Sequence, residues 1–327
     1  MSNYRNDIFD NRGSFSEFDG VYSDVDAHLN MLKDQDRCEG FFKAIKKYCK
    51  DKVVCDFGAG SGLLGVYALM SGAKEVWFVE REVTLHPLIK RLCETNGDFD
   101  EGIEFHICVN SSQIPDEKDY FDVIISETIG DSGIECDFTY EYGKIARKHP
   151  NSICIPDRIE YYWTSIYEDE VQKEMDYLKD FPVNYLDIGG KGKSPFLPYI
   201  YMRGCKVRDK IDSIENKFHT LDIKNYPQDT YVDMKFNLDN DSLKDDHNFI
   251  VLYWRCFTED LEIVNNAPQK PLGTFCNWIQ FGFYNEGHKD YSLYTNIKEG
   301  GVNLMKLTDE NNPKNQGRNE RFESKKY

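Results

Sequence analysis

The chain has 327 residues and a formal net charge of −17, with 40% hydrophobic and 14% aromatic residues. That length suggests about two domains with enough apolar material for a sizeable core. Such acidity excludes a surface built to grip nucleic-acid phosphates. It suits either simple solubility or a basic, Arg-rich partner drawn in by the field. No apolar run is long enough to span a membrane. The N-terminal "MSNYRNDIFDNRGS" also lacks the basic-then-apolar pattern of a signal peptide. Ten cysteines are scattered without a CxxC pair, several inside apolar runs as in "VVCDFG". Reduced core cysteines behave this way, so a cytoplasmic or nuclear setting and no bound metal are expected.

Residues 1–20 have no apolar periodicity and are expected to be a flexible segment. From Val21 onward, Leu29, Leu32, Phe41, Phe42 and Ile45 recur near helical spacing, which predicts two short helices broken around Cys38 to Gly40. Strands and helices then alternate. "KVVCDFG" reads as a strand, "GLLGVYALMSGA" as a helix closed by Gly72, and "EVWFVE" as a strand. "VTLHPLIKRLCETNG" follows as a helix with Pro87 in or near its first turn and Gly97 past its end. "IEFHICV" and "FDVIISE" are two more strands, "FTYEYGKIARKH" a helix, and "SICIPD" a last strand near Pro156. Apolar strands separated by helices predict a parallel sheet covered on both faces over residues 21–156.

Beyond Pro156 the pattern changes. "EYYWTSIY", "TYVDMKFNL", "NFIVLYWRCF" and "NWIQFGFY" are β-branched and aromatic runs divided by turn-rich stretches, which predicts an antiparallel β domain over 157–327. A stretch near 176–200, containing "DIGGKGKSPFLP", interrupts it as a candidate arm.

The first chemical signal is "VVCDFGAGSG". Gly58, Gly60 and Gly62 follow a strand and precede a helix, where glycine permits a tight turn and close approach of backbone to a ligand. The next strand ends in Glu80, near where a ribose would lie. Asp56 opens the order D-x-G-x-G-x-G, and an acid there suits a ligand carrying an ammonium group better than a pyrophosphate. These features point to S-adenosyl-L-methionine.

Together with their neighbours, these residues resemble the protein arginine methyltransferases. "FDGVYSDVDAHLNMLKDQDR" matches the family's aromatic stretch and H-x-x-M-L-x-D-x-x-R, with His28, Met31, Leu32, Asp34 and Arg37 in place. "VIISETIG" matches the strand delivering the first acid of the double-glutamate loop, "IPDR" the junction to a β-barrel, and "GTFCNWIQ" the Thr-His-Trp loop. The resemblance implies a seven-stranded Rossmann-like methyltransferase domain followed by an antiparallel β-barrel. It implies methyl transfer to arginine in basic protein substrates, and a homodimer or a heterodimer with a relative.

It also assigns roles. Arg37 would hold the cofactor carboxylate, His28 and Glu80 would lie near the ribose, and Asn110 or Ser111 near the adenine. Met31, Tyr22, Asn277 and Trp278 would face the substrate, Trp278 also serving the barrel. Glu127 and Glu135 would form the carboxylate clamp that grips a guanidinium and leaves one nitrogen aimed at the methyl. Three departures stand out. The loop between the acids is one residue short, so Glu135 is either the second acid or the neighbour of a lost one, with Cys136 in its place. Asn277 replaces the family's histidine, whose partner would be Asp34. Asn110 replaces an acid. The alternative is therefore a weakly active or inactive relative that regulates an active partner; transfer to another nucleophile is a third reading.

Overall fold

A run of buried hydrophobic strand residues, Val54, Cys55, Phe78, Val123, Ile124 and Ile125, dictates the centre of the first half. In the computed structural model they sit on a parallel sheet of order β3-β2-β1-β4-β5. The structure describes residues 25–96, 103–131, 133, 138–169, 172–173, 176–177, 203–205, 215–225, 231–238, 243, 246–268, 276, 278, 280–284, 290–296 and 301–306. The strands are β1 (Val53–Phe57), β2 (Glu75–Val79), β3 (Glu104–Cys108), β4 (Val123–Ser126) and β5 (Ile153–Ile155). Five strands of this sheet lie among the described residues, against the seven the resemblance implies.

Helix α3 (Leu63–Met70) crosses from β1 to β2, and α4 (His86–Asn96) crosses from β2 to β3. The chain then returns to the other side of β1 as β4, paired in parallel with Phe57 opposite Ser126. That reversal of strand order opens a crevice at the carboxyl ends of β1 and β4, the place where open α/β sheets bind ligands. Gly65 seats α3 against β2, since a Cβ there would lie 2.1 Å from the Phe78 ring.

The N-terminal helices are α1 (Val25–Lys33) and α2 (Gln35–Tyr48). Their break falls at Asp34, not at Cys38–Gly40. Asp34 caps α2 by accepting a hydrogen bond from Arg37 N at 3.1 Å, and this cap outweighs the helix-weakening glycine downstream. Gly40 stays helical because α2 lies directly on β11 (Leu261–Asn265), where a Cβ on Gly40 would fall 1.7 Å from the Ile263 carbonyl oxygen. The expected helix over "FTYEYGKIARKH" forms, but begins with a π turn over Phe138–Tyr142 before α5 (Gly143–Lys148).

After the cis Ile155–Pro156 bond the chain enters an antiparallel sheet of order β7-β12-β10-β6-β8, with β11 on β10. Its members are β6 (Arg158–Ile166), β7 (Arg203–Cys205), β8 (Asn216–Asp222), β10 (Phe249–Thr258) and β12 (Gln280–Tyr284). A three-stranded antiparallel sheet joins β9 (Tyr231–Asn237), β13 (Asp290–Asn296) and β14 (Gly301–Lys306). The sequence patterns located β6, β9, β10 and β12. They missed β8, whose residues are mostly exposed or half-exposed, the short β7 and β11, and the hairpin β13–β14. Buried side chains of both halves, from Ile45 and Phe78 to Trp163, Trp254 and Phe283, form one contiguous core.

Gly40→Ala tests how tightly α2 is seated. A methyl forced against a carbonyl should overpack this contact by about 1–3 kcal/mol or more, although alanine is the better helix former. Denaturant unfolding should show a lower midpoint; an unchanged or higher one would mean that α2 is free to shift.

Candidate active site

The crevice is lined by three segments that each end a buried element. The first is the glycine loop after β1. Gly58, Gly60 and Gly62 have φ of 72°, 55° and 86°, backbone that side chains rarely adopt. Gly58 is required twice over, because a Cβ would meet the Thr128 methyl at 2.3 Å. Gly60 brings the loop under the buried His28 ring, whose Cε1 lies 3.4 Å from where a Cβ would be. Gly58 N and Ala59 N both donate to the Val79 carbonyl, at 2.9 and 3.1 Å, which ties the loop to β2.

The second segment is the end of β2. The buried Glu80 carboxylate accepts from Gly60 N at 2.6 Å through Oε2 and from Glu82 N at 2.7 Å through Oε1. Each oxygen keeps a further lone pair, so the carboxylate can still accept two hydroxyls. His86 Nε2 lies 2.8 Å from the Glu80 carbonyl and steadies the same corner.

The third is the end of β4. Ser126 is wholly buried, and Glu127 follows with its side chain 9% exposed. Its Oε2 accepts a charge-assisted hydrogen bond from Arg37 Nη2, which joins the first turn of α2 to the end of β4. Arg37 Nη1 also donates to the Met31 carbonyl at 3.4 Å, and Nη2 lies 4.0 Å from the Met31 sulfur. Burial would depress the Arg37 pKa, but the Glu127 carboxylate overrides it and the guanidinium stays charged. Burial pushes the Glu127 carboxyl up, and Arg37 opposes that shift.

Asp56 differs from the expected ligand-facing acid. Its carboxylate is 1% exposed and accepts from Gly65 N at 2.8 Å, in the first turn of α3. It braces the loop from beneath. Burial raises its pKa to about 7, a rise that the Gly65 N–H opposes and the nearby Glu80 and Glu127 charges add to.

Asn110 is exposed in the turn after β3, with its oxygen accepting from Ser112 N at 3.0 Å. Trp278 is 3% exposed, stands edge-on to Trp254 with centroids 5.0 Å apart, and donates from Nε1 to the Ile129 carbonyl at 2.8 Å. Trp254 Nε1 donates to the Asp131 carbonyl at 2.9 Å, joined there by Asn266 Nδ2 at 3.3 Å. These three donors, one on β10 and two at the ends of neighbouring strands, hold the loop that leaves β4. Sequence reasoning missed Trp254 and Asn266, which carry no motif and act only through the fold, and gave no role to Thr128, although it stands inside "VIISETIG". Tyr22, Glu135 and Asn277, and most of the candidate arm at 176–200, lie outside the described residues.

The chain is 25% identical over 288 residues to protein arginine N-methyltransferase 1 of Schizosaccharomyces pombe, covering 83% of this chain and 79% of that protein. It is 35% identical over 112 residues to the probable protein arginine N-methyltransferase 6 of Arabidopsis thaliana, covering 33% of this chain. That match spans only a quarter of the Arabidopsis protein's length, 25%. The chain is a divergent relative of the protein arginine N-methyltransferases. Its fold is similar to that of a chain in the structure of the Trypanosoma brucei PRMT1 enzyme-prozyme heterotetrameric complex with AdoHcy. The TM-score is 0.60 at 17% identity, over 84% of this chain and 89% of that one. No family model matches. In this arginine-methyltransferase relative, His28, Arg37, the glycine loop, Glu80 and Glu127 converge on one crevice, while Asp56 lies below it.

The raised Asp56 pKa predicts a pH dependence. The folded chain holds this proton to about pH 7, whereas the ordinary carboxyl value is 3.8. The folded state therefore binds more protons than the unfolded chain across that window. Ionisation of Asp56 costs stability as pH rises through it, by a few kcal/mol at most at about 1.36 kcal/mol per pH unit. Asp56→Asn keeps an oxygen for Gly65 N and removes the titration. Denaturant unfolding at several pH values should show wild type losing stability relative to the variant between about pH 4 and 7. A constant difference would refute the assignment.

Proposed function

We propose that this chain is an S-adenosyl-L-methionine-dependent methyltransferase acting on arginine guanidinium nitrogens of basic protein substrates. The observation that carries the reading is Glu127: a carboxylate at the end of a buried strand, held by Arg37, beside a glycine loop whose bare backbone lets a ligand approach closely.

The crevice fits the cofactor's chemistry. Glu80 has lone pairs for a ribose diol, and Arg37 is a permanent cation for a carboxylate. The His28 ring closes the far side of Gly60. When bound, S-adenosyl-L-methionine supplies an electrophilic methyl on a sulfonium. The chain's own residues do the rest. A guanidinium is a poor nucleophile because its charge is delocalised. Glu127 would accept from the guanidinium fork and draw positive charge toward the gripped nitrogens, freeing electron density on the remaining one. Positioning and preorganised charge would supply most of the rate gain. In this proposal Glu135 completes the clamp, and Tyr22, Met31, Asn277 and Trp278 border the substrate.

Residues 21–156 would form the cofactor domain and 157–327 a β-barrel. Barrel closure is supported by Phe236 of β9, whose ring lies 4.7 Å from Phe218 of β8 and 5.5 Å from Tyr291 of β13. An arm near 176–200 would mediate pairing with a second copy or a relative.

The second reading is a cofactor-binding partner subunit. Asn277, in place of a histidine, favours it, since an asparagine amide takes up no proton and no positive charge near neutral pH. The neighbouring Trypanosoma brucei complex joins an enzyme to a prozyme.

A labelled-methyl assay on Arg-rich peptides separates these readings. Wild type should transfer methyl, and Glu127→Gln should lose about 10²–10³-fold in kcat, as loss of one preorganised electrostatic contact does. Calorimetry should show the variant still binding the cofactor. Undiminished activity in Glu127→Gln would remove Glu127 from the clamp. Cofactor binding without transfer, relieved by adding an active relative, would favour the partner subunit.

A further inference from the structure

The carboxyl end of β3 offers a specificity device that rests on the proposed cofactor. Glu80 N donates to the Cys108 carbonyl at 2.9 Å, so the ends of β2 and β3 are tied side by side. If Glu80 takes the ribose, the base lies one strand over, at the turn after Cys108. A carboxylate at that turn would select a 6-amino purine, because it accepts from the exocyclic amine and repels a 6-oxo oxygen.

This turn has no such group. Asn110 Oδ1 is engaged twice by Ser112, from N at 3.0 Å and from Oγ at 2.5 Å. These donors also establish which end of the amide is oxygen. Gln113 Oε1 accepts from Val109 N at 2.6 Å, and Gln113 N donates to the Asn110 carbonyl at 3.1 Å. Both side-chain amide oxygens are thus committed to the turn itself. Asn110 Nδ2 has no acceptor among the described residues, and Ser111 adds a hydroxyl that can donate or accept. The groups left for a ligand are neutral, and the amide nitrogen among them is a donor.

We propose that the base subsite of this chain does not select the 6-amino group, and accepts a 6-oxo purine nucleoside in place of adenosine. The sites that discriminate strongly are those with a committed hydrogen-bonding partner. A donor amide beside a two-way hydroxyl offers no penalty to an oxo group.

Titration calorimetry with S-adenosylhomocysteine and S-inosylhomocysteine tests this on the full chain, without turnover. Wild type should bind the two within about tenfold of each other, the loss of a tenfold preference being small on the scale of a committed site. Asn110→Asp retains one oxygen for Ser112 and puts a second, charged one in the place of Nδ2. It should widen the preference for the adenosyl ligand at least tenfold relative to wild type. A wild-type preference above tenfold, or an unchanged ratio in Asn110→Asp, overturns the proposal. Failure of both nucleosides to bind wild type instead overturns the cofactor reading beneath it, and the two failures are told apart by whether S-adenosylhomocysteine binds.

Discussion

The buried ion pair between Arg37 and Glu127 is the contact on which the crevice depends. Both side chains are less than a tenth exposed, so each has lost most of its water. Burying one such charge alone would be prohibitive, and removing one partner from a buried pair typically costs about 3–5 kcal/mol. The pair therefore constrains where two elements can lie: α2, which carries Arg37, and β4, which ends at Glu127. Asp34 adds to this by capping α2 at the turn that presents Arg37. A shift of α2 would break the cap, the ion pair and the Gly40 contact with β11 together.

The charge around that pair is lopsided. Asp34, Asp56 and Glu127 act on one guanidinium, Arg37, with Glu80 close to Asp56, and all five groups are buried or nearly so. Part of this acidity is relieved by backbone N–H groups aimed at Asp34, Asp56 and Glu80. Part is relieved by protonation, since Asp56 retains its proton to about pH 7. What is left still favours a cation. A sulfonium and a guanidinium are both cations, and a crevice of this sign lowers the cost of bringing the two together.

Much of this was legible in the sequence, and the misses have physical causes. The parallel sheet showed as apolar runs between helices, because strands buried on both faces cannot alternate. The glycine loop, Glu80 and Glu127 showed because glycine and charge at strand ends are locally unfavourable without a reason. The break between α1 and α2 was misplaced because Gly40 reads as a helix breaker in isolation; its packing on Ile263 comes from more than 200 residues away in sequence. Asp56 was read as facing the ligand because spacing places a residue along the chain but does not say to which side of a loop its carboxylate turns. Trp254 and Asn266 left no trace, since an indole in a strand reads as core until its N–H is seen to reach a carbonyl.

That last pair shows how the two halves work as one. The loop leaving β4 presents bare carbonyls at Ile129 and Asp131, and buried carbonyls need donors. Trp254 of β10, Asn266 just past β11 and Trp278 just before β12 supply them. Gly133 sits closely against them at a φ of 86°, where a Cβ would lie 3.0 Å from the Tyr161 hydroxyl and 3.2 Å from the Trp254 ring. Glu127 is thus held from one side by α2, while the loop that follows it is held from the other side by the sheet. The acid end of β4 is positioned by elements distant in sequence and in opposite halves of the chain. A β domain beyond Pro156 is therefore a structural requirement of the crevice, whatever substrate it admits.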